Sequence, residues 1–333
     1  MALFMIITVD TEDSQSLAVI YNDGIKEIDS MIYGYLNDQY YGFPKIIDIC
    51  DKHNCKATFF ISVFEYRKYG NSTIMKICQQ IKQSQHDVQL HIHPARAYNK
   101  DAVNINEYSL EEQIQMIKDG KELIEKWIGE KPVAHRAGAY GINEDTFTAL
   151  KENDIGIDSS SFYGYENCKA VVTKNKVVEH NSIIEVPVTV FQRNKQIKFL
   201  NSVLWQKLSI IKTDIDWASL DELNWFVRQA KEHDIKVMNL FMHSYSLLKF
   251  DHTFSHFEPD WNDIEKLDKF LNFVANDPDI KVITMKEFYK LYQENPDQFI
   301  GSDYVPVIEY PEKFRPIKHF FGLVRSLRKR HWG

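Results

Sequence analysis

A chain of 333 residues with 44% apolar and 26% charged residues can bury a sizeable core, and it lacks the bias of a disordered or fibrous protein. Its formal charge of −7 excludes a nucleic-acid partner as the first expectation, because phosphates repel an acidic body. No apolar run approaches the roughly 20 residues that span a bilayer, and the sequence enters its first strand without a signal-like leader, so a cytoplasmic protein is expected.

In chain order, strands and helices alternate as in a parallel barrel or doubly wound sheet. Leu3 to Ile7 reads as a buried strand followed by acids. Ser14 to Phe43 is a long loop with Tyr33, Tyr35, Tyr40 and Tyr41, the length and composition of a substrate-lining segment. Pro44 opens a helix through His53, Lys56 to Ser62 is a strand, Ile74 to Gln83 a helix and Asp87 to Ile92 a strand. A helix over Leu110 to Ile128 starts in the capping box Ser109 and Glu112; Val133 to His135 is a short strand, Asn143 caps a helix to Asn153, and Gly156 to Asp158 ends another strand. Val171 to Lys176 and Ile183 to Val190 read as strands, and 195–217 as an insertion over one face. Leu220 to His233 is helical, and Lys236 to Met242 is a strand running into His243. Helices over Ile264 to Val274 and Met285 to Tyr292 flank the short strand Val282 to Thr284. Cys50, Cys55, Cys78 and Cys168 lack metal-finger spacing and read as reduced core thiols.

Two stretches carry chemistry. Asp10, Glu12 and Asp13 follow the first strand, where α/β folds place active-site groups. His91 and His93 stand two apart on a strand and so point to one side, which suits two imidazoles on one divalent ion.

These stretches belong to a longer ordered set: Thr8-Val9-Asp10 with its acids, Lys56 to Phe60, His86 to Pro94, His135 to Tyr140, Asp158-Ser159-Ser160 and Leu240 to Ser244. The set resembles the NodB-like polysaccharide deacetylases over roughly residues 3 to 290, in the branch with an HxHP motif. That resemblance implies a distorted (β/α) barrel of the NodB/polysaccharide deacetylase type with about seven parallel strands. The chain is expected to divide into a barrel over 1–300 and a basic amphipathic tail over 301–333. The resemblance implies a metal-dependent N-deacetylase with Asp10 as base and His243 as acid, Arg136 pairing with Asp10, and Asp158 orienting His243. One divalent ion, zinc with cobalt or nickel as substitutes, is held by His91, His93 and a carboxylate. Many relatives carry that carboxylate directly after the base, where this chain has Thr11; the ligand is then Glu12 or Asp13, and Asp13 is preferred. The backbone amide of Tyr140 is the oxyanion donor, and Arg96 and Tyr98 lie on the loop that meets substrate. Position 95, where relatives often have a second histidine, is Ala95, and the tryptophan they often carry after the aspartate motif is replaced by Phe162 and Tyr163.

Residues 313–333 carry Lys313, Arg315, Lys318, Arg325, Arg328, Lys329 and Arg330 and no acid, +7 against −7 − 7 = −14 for the remainder. Interleaved Phe320, Phe321, Leu323, Val324 and Leu327 give an apolar face beside the basic one, suited to an anionic membrane surface or to the acidic body itself. Two function classes follow. One is a deacetylase of an acetylated sugar or glycan precursor, membrane-associated through its tail. The other is a deacetylase-fold protein that binds or helps assemble glycan, or acts on another C–N bond.

Overall fold

The computed structural model describes residues 2–13, 31–98, 101–199, 202–251 and 256–312. Its main elements are β1 Leu3–Thr11, α1 Phe43–Lys52, β2 Ala57–Ser62, α2 Asn71–Gln83, β3 Asp87–Ile92, α3 Leu110–Ile128, β4 Ala134–Ala137, α4 Glu144–Glu152, β5 Ile157–Asp158, β6 Val178–His180 and β7 Ile183–Glu185. The long strands β8 Val190–Phe199 and β9 Ser202–Lys212 follow, then α5 Leu220–Glu232, β10 Val237–His243, α6 Trp261–Ala275, β11 Ile280–Val282, α7 Met285–Glu294 and β12 Val307–Glu312.

The strands β10-β1-β2-β3-β4-β5-β7 lie side by side and parallel, with β6 antiparallel at the far edge and β11 parallel to the start of β1. The sheet curls into a half-barrel, as expected of the deacetylase type. Its two ends are drawn together through Thr213, whose N–H donates to Thr189 O (2.9 Å) and whose carbonyl accepts from Phe241 N (2.8 Å).

Strand periodicity divides the interior. Phe4, Ile6, Phe60, Ala134, Ile157, Ile184 and Val237 point into the curl and pack on Met285, Phe288 and Phe299, which close its lower end. Each such phenylalanine contributes about 2–3 kcal/mol by leaving water. Above this floor lies a polar layer, with Thr8 Oγ1 donating to Asn239 Oδ1 (2.8 Å) and Asn239 Nδ2 to Ser159 Oγ (3.0 Å). The upper ends of β1, β3, β4 and β10 then open at the site. The outer face of the sheet carries the larger core against the helices, and the four cysteines are buried free thiols within it.

Ser109 and Glu112 form the expected capping box, and Asn143 caps α4. Elsewhere the structure departs from expectation. Residues 171–176 are not a strand, because the N–H groups of Lys174, Asn175 and Lys176 turn onto one carboxylate oxygen of Asp303 (2.8, 2.9 and 3.2 Å). The presumed insertion is the β8–β9 hairpin, and β12 adds to it parallel to β8, so the chain beyond residue 300 begins as ordered sheet. Within the tyrosine-rich loop, residues 14–30 lie outside the described residues; Tyr35 and Tyr40 pack ring on ring at 5.1 Å. The basic stretch 313–333 also lies outside them. Among the described residues no helix is long and apolar enough to cross a membrane.

Candidate functional site

The site is built on the upper end of β1. This strand runs four residues further than its apolar pattern, to Thr11, so Asp10 and Glu12 fall on one side and Asp13 on the other. Glu12 meets both histidines: its Oε2 lies 3.0 Å from His91 Nε2 and 2.5 Å from His93 Nε2. Ligand atoms of Glu12, His91 and His93 all lie within 4.8 Å of one another, and all three residues are buried. Asp13, the preferred ligand in the sequence reading, points away. It pairs with Arg96, accepts from Tyr69 Oη at 2.5 Å and lies 3.4 Å from Lys68 Nζ. The carboxylate brought to the histidines is therefore Glu12, and side-chain parity is the reason.

The donor set fits a divalent cation. His91 Nδ1 donates to the carbonyl of Arg136 at 2.8 Å, which leaves a lone pair on Nε2 facing the Glu12 carboxylate. Two acceptors face each other there unless a proton or a metal cation stands between them. His93 adds a third such atom, its Nε2 meeting the same Glu12 oxygen while its Nδ1 is buried without a hydrogen-bond partner. Burial opposes ionisation of Glu12, yet His93 and His91 outweigh it and hold the carboxyl well below the usual glutamate range. Burial likewise opposes protonation of His91, and Asp10 with Glu12 reverses the sign. Gly138 lies flat against the His93 ring, where a Cβ would collide with it.

Asp10 is 4% exposed, and its Oδ1 accepts from Arg136 Nη1 at 2.7 Å. Arg136 is fully buried. Nη1 also reaches Thr8 Oγ1, Nε and Nη2 reach Ser159, and the guanidinium lies 4.2 Å over the Phe60 ring. The expected Arg136–Asp10 pair is present. His243 stands in register with Asp10 on the neighbouring strand, its Nε2 3.7 Å from Glu12 Oε1. Ser244 fixes the acidic turn, accepting from Glu12 N and donating to Glu12 O.

Three other expectations are corrected in place. Asp158 does not reach His243; it pairs with His135 Nδ1 at 2.8 Å, because Arg136 points into the curl and its neighbour His135 points out, beside Asp158 and Glu185 on the outer face. Burial and the charge of Asp158 push the Glu185 carboxyl well above its ordinary range. Arg96 is engaged with Asp13, and Tyr98 donates to Asp119 Oδ2 at 2.8 Å, so neither turns to the histidines. Tyr140 does lie at the site, with Ala139 and Tyr140 in the left-handed region (φ 48° and 57°), its ring buried and its hydroxyl accepting from Lys212 Nζ at 3.2 Å.

The sequence reading missed Asp214-Ile215-Asp216-Trp217. Asp216 Oδ2 lies 3.9 Å from His243 Nδ1 and accepts from Ser246 Oγ at 2.8 Å, while Ser246 Oγ accepts from His243 N. Asp216 thus takes the place expected of Asp158, and an aspartate–tryptophan pair is present after all. Asp214 is buried against Lys212 Nζ at 2.8 Å, and Lys212 lies over the rings of Phe241 and Trp217 (3.5 and 4.9 Å). The signal was two acids and a tryptophan directly after a strand.

A curled parallel sheet with a buried carboxylate and two histidines at its upper end is a half-barrel of the NodB-like deacetylase type. The polysaccharide deacetylase family model matches residues 10–157. Solved structures agree in fold. A Mycobacterium smegmatis protein named as a candidate polysaccharide deacetylase is similar over 93% of this chain and 95% of its own, at 16% identity and a TM-score of 0.59. A Pseudomonas aeruginosa protein named in the same way (8% identity, TM-score 0.53) and the Puue allantoinase (8%, 0.54) each cover 88% of this chain and 91% of their own. No curated protein matches the sequence.

Proposed function

We propose that the protein is a metal-dependent hydrolase that removes an acetyl group from an N-acetylated sugar of a surface glycan or glycan precursor. The observation that carries this reading is the convergence of Glu12, His91 and His93, with both imidazoles turned onto one Glu12 oxygen. Glu12, His91 and His93 would hold the ion; zinc suits this donor set, and cobalt or nickel are acceptable to it. When bound, such an ion polarises a carbonyl and lowers the pKa of water. Asp10, held by Arg136, accepts the proton of the attacking water. His243 gives its proton to the leaving amine, with Asp216 3.9 Å from its far nitrogen to orient the ring. The Tyr140 amide is the oxyanion donor in this reading. Residues 313–333 would bring the protein to an anionic membrane bearing a lipid-linked precursor, and removing them is expected to lower vesicle binding while sparing activity on a soluble substrate.

The test is metal content of the protein purified without chelator, beside a His91→Ala, His93→Ala double variant, followed by acetate release from N-acetylated sugars. Near-stoichiometric metal lost in the variant, with acetate released by the wild type, is expected. No metal after addition of zinc, cobalt or nickel would refute the reading and favour a glycan-binding protein on the same fold.

A further inference from the structure

The upper rim of the half-barrel carries an aromatic side chain that the hydrolytic site does not use. Trp261 is the first residue of α6 and, at 62%, the most exposed large apolar side chain among the described residues. It stands on a fixed turn. Asp260 caps α6 by accepting from Asn262 N and Asp263 N (3.0 and 3.3 Å), and the indole meets the buried Tyr41 ring edge to face at 5.8 Å. A rigid indole held in water is apolar surface that a ligand can cover at little cost in side-chain entropy.

From Trp261 a groove of about 530 Å³ runs between α1 and α6, within the range of about 300–1,000 Å³ of small-ligand sites. Buried Ile49 and Ile264 lie at its base, and Lys52, the last residue of α1, closes its far end by pairing with Asp268 at 2.7 Å. Lys45 and Asp48, one turn apart on α1, also line it, and neither has a side-chain partner among the described residues. On its other side α6 borders a second cleft, of about 510 Å³, that contains Asp216 and Trp217. Glu265 lines both, so the groove adjoins the cleft that reaches the orienting group of His243.

This chemistry selects among occupants. Asp48, Glu265 and Asp268 against Lys45 and Lys52 disfavour an anionic lipid or a nucleic acid, which call for net positive charge. A partner helix or a second subunit needs a broad apolar face, and here the exposed apolar surface is one indole. A pyranose ring matches what is present: its C–H face covers an aromatic plane, while its hydroxyls, donors and acceptors at once, meet a carboxylate and an ammonium group at the edge.

We infer that the α1–α6 groove is a carbohydrate-binding site separate from the hydrolytic centre, in which Trp261 stacks on a pyranose ring and Asp48 and Lys45 hydrogen-bond its hydroxyls. The sugar it holds belongs to a longer glycan, kept on the protein beside the cleft of Asp216. Only that last placement rests on the hydrolytic reading; sugar binding in the groove does not.

The test is calorimetric titration of the full chain with the β-1,4-linked hexamer of N-acetylglucosamine and with that of glucose. Binding of at least one hexamer is expected. Trp261→Ala is expected to weaken it about tenfold and Asp48→Ala about fivefold, both with the wild-type thermal transition because the changed side chains are exposed. The effect of Trp261→Ala is expected to persist in the His91→Ala, His93→Ala background, which separates the groove from the hydrolytic centre. Failure of the wild type to bind either hexamer would overturn the inference, as would wild-type affinity in Trp261→Ala or in Asp48→Ala. So would loss of all hexamer binding in the His91→Ala, His93→Ala protein, which would assign the ligand to the hydrolytic centre. Binding that depends on Trp261 in a protein releasing no acetate would support the inference and count only against hydrolysis.

Discussion

Glu12→Gln and Asp13→Asn, made side by side, separate the site's ligand from its neighbour. Each substitution keeps side-chain size and removes one negative charge, at adjacent positions on opposite sides of the chain. Glu12 faces two imidazole nitrogens at 3.0 and 2.5 Å, and its loss should weaken metal binding by at least about 100-fold, since even a group that only hydrogen-bonds a ligand is worth 10–100-fold. Asp13 instead satisfies Arg96, Lys68 and Tyr69, so Asp13→Asn should appear as lost stability. Breaking a fully buried pair costs about 3–5 kcal/mol; with Arg96 and Lys68 side chains 16% and 37% exposed, solvent screening reduces this to about 2–3 kcal/mol. At roughly 2.1 cal/mol/K per residue, a chain of 333 residues has an unfolding entropy near 0.7 kcal/mol/K, so Tm should fall by about 3–4 K. The assays are calorimetric titration with zinc and thermal unfolding of the metal-free proteins. Loss of metal in Asp13→Asn with retention in Glu12→Gln would reverse the assignment and refute the parity reasoning behind it.

Gly138→Ala should displace the His93 ring and lower metal affinity about 10–100-fold while the far-ultraviolet circular dichroism stays unchanged; unaltered affinity would show that the ring has room to move. His243→Ala should retain metal and fold and lose at least about 100-fold in kcat, and Asp216→Asn should lose less, about tenfold; equal turnover in His243→Ala would remove it from the reaction. Glu185→Gln tests the outer cluster through pH. The glutamate's pKa is raised above 4.5 in the folded state, so its stabilising contribution is complete below that value and is lost as pH rises through the displaced one. Glutamine cannot ionise, so the variant's Tm should gain on the wild type as pH rises above 4.5, and parallel Tm curves across pH would refute the raised pKa.

What was legible in the sequence follows from which side chains have an inside to point to. The buried parallel strands appear as apolar runs, and the helices as capped amphipathic segments, because one face of each is covered; Ser109 with Glu112 and Asn143 mark their helix starts within one residue. Asp10, Arg136, His91, His93 and His243 were found because they end such runs. The errors share one cause: a strand whose end is polar offers no hydrophobic contrast to say how far it continues. β1 was read to Ile7, so the alternation that assigns Glu12 inward and Asp13 outward was never applied. Similarly, His135 and Arg136 were not separated by face, and Asp158 was credited to the wrong histidine.

The hairpin was hidden for a related reason. Trp205 to Leu208 of β9 are exposed on both faces, so no alternation distinguishes core from solvent there, and 195–217 read as an insertion. That reading also concealed Asp214, Asp216 and Trp217, which follow β9 within five residues of Lys212. The same strand therefore projects outward at Trp205 and, through Lys212 paired with Asp214, sets the turn that places Asp216 beside His243. The acid side of the site depends on a segment whose outer end belongs to no core. This is why the residues that orient His243 come from outside residues 10–157, the part of the chain matched by the family model.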